Sequence, residues 1–141
     1  MRALDANVLA RFFVDGADDS QAATQRPMAV AALAERSFVL VTVLLELEWV
    51  MRGFYGLPTA TFPVLRALAR TEHTTLEGRH AALVEVDAFD EGLEFADALH
   101  MARSSRASGF VTFDKRLAKR ASGLATPTFV CTTHPPIRGL R

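Results

Sequence analysis

The sequence predicts one α/β domain, residues 1–141, built on a parallel sheet with helices on both faces. Three observations carry this. Five short apolar or β-branched runs recur along the chain, at Arg2–Asp5, Phe38–Val41, Thr74–Glu77, Gly109–Thr112 and Thr128–Thr132. Segments with helical spacing separate them, and strand–helix alternation of this kind buries a parallel sheet between helices. Half of the 141 residues are hydrophobic and 23% are charged, with no repeat, low-complexity tract or linker, so one core of ordinary domain size is expected.

Arg2–Asp5 is an apolar run ending in an acid, and Asn7–Val14 reads as a helix. Ser20 is placed to cap a second helix that runs to Glu35, because residues 21–34 are rich in good helix formers. Phe38–Val41 has the composition of a strand buried on both faces. Thr42 then caps a helix in which Leu44, Leu47, Val50, Met51 and Phe54 recur at helical spacing, with Gly53 and Gly56 marking its end. Trp49, Met51 and Phe54 read as core. Leu57-Pro58 opens the next helix, whose apolar face is Phe62, Leu65, Leu68 and Ala69. Thr74–Glu77 is a weaker strand, and Arg79–Phe89 is helical with Ala82, Val86 and Phe89 on one side. Gly92 interrupts before a helix over Glu94–Arg106. Gly109–Thr112 is a strand, Asp114–Ala121 a short basic helix, and Thr128–Thr132 a last strand stopped by His134-Pro135-Pro136. Cys131 reads as a small apolar residue of that strand.

Composition excludes several classes. The longest strongly apolar stretch, Phe38–Leu45, is closed by Glu46 and falls far short of the ~20 residues a membrane-spanning helix needs. Asp5 and Arg11 sit where a signal peptide needs its apolar region, so no export signal is expected. One cysteine forms no internal disulfide and does not suggest zinc, which points to a reducing cytoplasm. Formal net charge is zero but divided: residues 1–102 carry eight Arg, no Lys and fifteen acids, a balance of −7. Residues 103–141 carry eight Arg plus Lys against Asp114 alone, a balance of +7. The split reads either as solvated helix faces or as an acidic site beside a basic surface able to track a phosphate backbone. Arg138 and Arg141 read as solvated.

In open parallel sheets the site lies outside the carboxyl ends of the strands. Asp5 ends the first strand, Glu46 lies in the first turn after the second, and Asp114 follows the fourth by two residues. Asp97 lies in the first turn of the helix that leads to that strand. Acids gathered from distant segments repel and are costly to bury together unless cations compensate. Such hard oxygen ligands suit Mg²⁺ or Mn²⁺, one or two of which activate water against a phosphodiester. Each acid also has a plain structural reading. Asp5 and Asp114 read as caps of the helices that follow them. Glu46 and Glu48 read as solvated acids near a helix N-terminus, and about 200° of helix separates them, so only one faces a given site. Glu94 and Asp97 share a helix face, a mildly unfavourable pairing without a cation. His73, His80, His100 and His134 lack metal-ligand spacing, and no HExxH, GxSxG or phosphate-binding glycine loop is present. His100 reads as a surface histidine or a substrate contact beside Asp97.

Four segments together resemble a known family. Leu4-Asp5-Ala6-Asn7-Val8-Leu9 resembles the opening motif of PIN-domain ribonucleases, and Leu45-Glu46-Leu47-Glu48-Trp49-Val50 resembles their second-acid helix. Phe95-Ala96-Asp97-Ala98-Leu99-His100 is similar to the third-acid segment, and Val111-Thr112-Phe113-Asp114-Lys115-Arg116-Leu117 to the strand and loop of the last acid. Order and spacing match over residues 4–117, and within the family the chain looks most like the VapC-type toxins of type II toxin–antitoxin pairs. The resemblance implies a three-layer α/β/α fold with a five-stranded parallel sheet in order 3-2-1-4-5. It implies Mg²⁺- or Mn²⁺-dependent RNA cleavage leaving 5′-phosphate and 3′-hydroxyl ends, a homodimer, and a VapB-like antitoxin that occludes the site. Residue by residue it makes Asp5, Glu46, Asp97 and Asp114 the metal-binding acids, with Asn7, Thr112 and Glu94 in supporting positions. One departure is visible: Ala6 stands where the family often has Thr or Ser, so a hydroxyl that orients a ligand is lost.

The basic residues Arg103, Arg106, Lys115, Arg116, Lys119 and Arg120 are then the expected phosphate contacts. Three other readings stand beside this one. A binding module would keep the fold and use the acids only to hold a partner. A phosphotransferase of the haloacid-dehalogenase type also opens on a strand-end Asp, but wants Asp-x-Asp, and Asn7 occupies the second position. A PIN nuclease of RNA processing, outside any toxin pair, shares every motif. The Pro58–Arg70 helix is a candidate dimer face.

Overall fold

The computed structural model describes residues 1–16, 18–124 and 126–130. Along them run β1 (Arg2–Ala3), α1 (Ala6–Phe13), α2 (Ser20–Ala34), β2 (Ser37–Val39) and α3 (Val41–Trp49). A π-helical turn at Val50–Phe54 continues α3, followed by α4 (Pro58–Arg70), β3 (Thr74–Leu76), α5 (Arg79–Asp90) and α6 (Phe95–Arg103). Then come β4 (Phe110–Thr112), α7 (Lys115–Arg120), a 3₁₀ turn at Ala121–Gly123 and β5 (Thr128–Val130). Cys131, Thr132, His134, Pro135, Pro136, Arg138 and Arg141 lie outside the described residues.

The α/β class and the parallel pairing agree with expectation, but the continuous sheet does not form. β2 lies between β1 and β3, pairing in parallel with both, as Ala3 with Phe38 and Val39 with Leu76. β4 pairs in parallel with β5, Val111 opposite Phe129. Among the described residues these are two separate sheets of three and two strands, not one five-stranded sheet in order 3-2-1-4-5. β1 spans two residues, and its backbone bonds run to β2's side, Arg2 N–H to the Arg36 carbonyl and Leu4 N–H to that of Phe38. The buried side chains divide in the same way. Leu9, Val39, Leu47, Met51, Leu65, Leu68 and Phe95 belong to one cluster, around the three-stranded sheet. Ala88, Leu93, Ala98, Met101, Leu117 and Ala121 form a second, beneath the two-stranded one. Phe89 packs against both and meets Phe95 edge to face with ring centroids 5.5 Å apart. No helix among the described residues is long and apolar enough to cross a membrane.

Helix ends follow hydrogen-bonding chemistry, in places not the expected one. Asp19, not Ser20, caps α2 by accepting the Gln21 N–H at 2.9 Å. α3 begins at Val41, and Thr42 is not its cap. Glu77, just beyond β3, reaches across and accepts the Val41 N–H on Oε2 at 2.9 Å. α6 stops at Arg103 and not Arg106, where Ser104 Oγ donates to the His100 carbonyl and the Ser104 N–H to that of Met101. β2 is buried at Ser37 and Val39 but only half-buried at Phe38. Gly78 lies in the left-handed region at φ 60°, and an added Cβ would stand 3.2 Å from Arg103 Nη1.

That contact belongs to a buried polar junction. Glu85 on α5 is fully buried and accepts from Arg103 Nε at 2.7 Å. Arg103 Nη2 donates to the Glu77 carbonyl at 3.1 Å, so α5, α6 and the end of β3 meet at one guanidinium. Removing one partner of a buried pair strands the other charge. Arg103→Ala is therefore expected to destabilise the fold by about 3–5 kcal/mol in urea denaturation, and Glu85→Leu with Arg103→Leu to recover much of it.

Burial pushes the Glu85 carboxyl above its ordinary value of 4.5, against the opposing pull of Arg103. The folded state then holds that proton more tightly than the unfolded chain does. Stability falls as pH rises from about 4.5 through the raised folded value. Glu85→Gln removes this component: thermal melts from pH 4 to 7 should show wild type losing ground to the variant as pH rises.

Candidate active site

α6 and α7 bring two of the expected acids to one depression. Its walls are Glu94, Asp97, Asp114, Arg116 and Arg120, with the buried Leu93 and Leu117 beneath. Glu94 occupies the cap position of α6 without bonding its backbone through its side chain, and Asp97 lies in the first turn. Asp114 caps α7: its Oδ1 accepts the N–H groups of Arg116 at 2.8 Å and Leu117 at 3.1 Å. Those two bonds, Leu117's the stronger influence, hold its carboxyl below the usual aspartate range. Thr112 Oγ1 accepts the Asp114 N–H at 3.0 Å and fixes the turn from β4 into α7. Thr112 thus supports the site through the Asp114 backbone.

Glu94 also borders a neighbouring groove with Glu46, Glu48, Trp49 and Arg52. Both α3 acids border it, where about 200° of separation predicts only one. The two carboxylates are used differently. Glu46 is exposed, whereas Glu48 is buried and accepts from Arg52 Nε at 2.8 Å. That bond holds the Arg52 guanidinium above its ordinary pKa. Trp49 and Phe54 are not core residues: Trp49 is 63% exposed at the groove and Phe54 is exposed on the π-helical turn, while Met51 is buried.

The remaining expected residues lie apart. Asp5 caps α1, with Oδ1 accepting the Ala6 N–H at 2.8 Å, and borders neither depression. Asn7 is exposed and borders a different hollow with Arg2, Arg11 and Gln25. His100 is exposed. Arg106, Lys115, Arg116, Lys119 and Arg120 are exposed, as phosphate contacts require. Arg103 is instead engaged with Glu85 and the Glu77 carbonyl. Glu77 and Glu85 were not singled out from the sequence, where Glu77 only ends the expected strand Thr74–Glu77.

The donor chemistry suits a hard divalent cation, since the three acids of the first depression are carboxylates and both backbone hydrogen bonds to the Asp114 carboxylate fall on one oxygen. Among the described residues no group of three or more His, Cys, Asp and Glu stands close enough to hold one as the side chains lie. A scan of protein-family models finds no match to this chain, and searches of curated proteins and of solved structures find none either.

The capping role of Asp114 is open to direct test by NMR. Its lowered carboxyl pKa keeps the cap intact above the ordinary value of 3.8 and loses it only as pH falls through the lower folded value. The amide resonances of Arg116 and Leu117 should shift together with a common midpoint below 3.8. Asp114→Asn should abolish that titration while retaining a side-chain cap.

Proposed function

We propose that this chain is a metal-dependent endoribonuclease of the PIN type, acting as the toxin of a VapC-like toxin–antitoxin pair. The observation that carries the reading is the meeting of Glu94, Asp97 and Asp114, from two separate helix starts, in one depression flanked by Arg116 and Arg120. Carboxylates placed together beside exposed guanidinium groups suit a cation and a phosphodiester. Asp97 and Asp114 would hold Mg²⁺ or Mn²⁺, with Glu94 beside them and Glu46 across the adjoining groove. Such a cation, when bound, supplies a water of lowered pKa and screens charge on the phosphate oxygens.

The chain's own residues do the rest. Backbone N–H groups of Leu117 and Arg116 stabilise the Asp114 charge and keep the carboxylate oriented into the depression. Arg116 and Arg120 offset the phosphate charge, and Lys115, Lys119 and Arg106 extend the basic surface outward. The products are 5′-phosphate and 3′-hydroxyl ends. Asp5 belongs to the expected acid set, but the reading rests on the carboxylates that share a depression. The remainder of the proposal is a homodimer in a reducing cytoplasm, held inactive by a VapB-like antitoxin over the acids.

A non-catalytic partner-binding module is the second reading. It is favoured by the caps that Asp5 and Asp114 form, which explain both carboxylates without a metal. Cleavage of total cellular RNA by partner-free protein separates the two. Discrete fragments are expected with Mg²⁺ or Mn²⁺ and not with EDTA, and Asp97→Ala should cut the rate by at least about 100-fold. Mn²⁺ binding followed by calorimetry should fall in the same variant. No cleavage by a folded protein in either metal would leave the binding module.

A further inference from the structure

The β4–β5 ribbon carries an apolar feature that neither the core nor the acidic depression absorbs. Its strands alternate, so Phe110, Thr112, Thr128 and Val130 turn partly inward and the residues between them face out. The outward residues are large: Val111 is 67% exposed and its cross-strand partner Phe129 is 54% exposed. Two positions beyond Val111, Phe113 is 82% exposed and directly precedes Asp114. Gly109 makes room for one of these rings. A Cβ there would fall 2.2 Å from Phe129 Cε2, so the ring lies against bare backbone and stays at the surface. Three large apolar side chains left exposed on one short ribbon and the turn that leaves it suit an interaction site.

Charge identifies the occupant. α7 follows Phe113 at once with Lys115, Arg116, Lys119 and Arg120, all exposed, and packs on the same two strands. A second copy of the chain would bring another such basic helix toward this one. A polyanion carrying flat apolar groups satisfies both features together, because every nucleobase has a face that stacks on an aromatic ring while its phosphate meets a cation. We propose that Phe113 and Phe129 form a stacking platform for unpaired bases of RNA, with α7 tracking the phosphates toward Asp114. Paired bases keep their faces buried in the duplex and gain nothing from the platform. This rests on the nuclease reading for its direction toward Asp114, but binding can be measured without cleavage.

The test is fluorescence anisotropy in EDTA with the full chain. The probes are a labelled single-stranded RNA dodecamer of mixed sequence and a labelled RNA hairpin whose stem is fully paired. Phe113→Leu keeps an exposed apolar side chain, so the fold is not at risk. It should weaken single-strand binding about tenfold, with Phe113→Tyr recovering most of the loss. Stem binding should change less than about twofold. The salt dependence should keep its slope in Phe113→Leu, whereas Lys119→Ala should lower it by about 0.7. Phe129→Leu should repeat the single-strand loss. The proposal is overturned if wild type fails to bind the dodecamer, if Phe113→Leu binds as wild type does, or if strand and stem lose equally. It is also overturned if sedimentation shows Phe113→Leu dissociating a wild-type dimer, which would make the patch a self-interface. RNA cleavage that persists unaltered in Phe113→Leu would reject the platform and leave the nuclease standing. Stacking without any metal-dependent cleavage would do the reverse.

Discussion

A carboxylate without solvent needs a cation, and Glu85 has Arg103. Much of the architecture hangs from that requirement. Arg103 closes the last turn of α6, and satisfying Glu85 draws that end of the helix onto α5. Its remaining donor takes the Glu77 carbonyl, which ties in β3, and the Glu77 carboxylate then serves the first N–H of α3. Two of the helices joined in this way, α3 and α6, carry Glu46 and Asp97. The placement of acids that point toward the surface is therefore tied to a polar junction centred on the buried Glu85. Gly78 is part of the same device: its φ of 60° suits glycine, and a Cβ there would press on the guanidinium at 3.2 Å.

The division into two sheets has a bearing on the site. Each sheet has its own hydrophobic cluster, and Phe89 belongs to both. Glu94 and Asp97 start a helix whose Phe95 packs in one cluster and whose Ala98 and Met101 pack in the other. α6 thus bridges the halves, with its acids at the end nearest the basic α7. That position explains why the depression mixes carboxylates and guanidinium groups: the chain's acidic and basic segments meet at this seam.

Legibility in the sequence varied with the range of the interaction. Helices with a long apolar stripe, such as α4 with Leu65, Leu68 and Ala69, are visible because their periodicity and their burial are the same fact. Asp114 as the cap of α7 follows from local spacing, whereas Thr112 beside it came only through the family resemblance. The sheet order was not legible, because pairing between strands of two or three residues depends on the packing of everything between them. The α3 cap was equally hidden: its carboxylate comes from Glu77, 36 residues away. Arg103 looked like one more member of a basic run, since a partner at Glu85 appears only once α5 and α6 are packed. Trp49 and Phe54 looked like core by residue type, but α3 gives way to a wider π-helical turn at Val50, and the apolar spacing no longer predicts the buried face there.

The two-fold use of Asp114 narrows what evolution can place at that position. Asparagine caps a helix as well as aspartate but carries no charge, while glutamate carries the charge on a side chain poorly suited to capping. Alanine does neither. On the proposed function the side chain at this position both starts α7 and faces a cation, and aspartate is the one residue meeting both demands. Neutral drift at residue 114 is closed, whereas the exposed Glu46, which bonds no backbone, is free to exchange with aspartate at little cost to the fold.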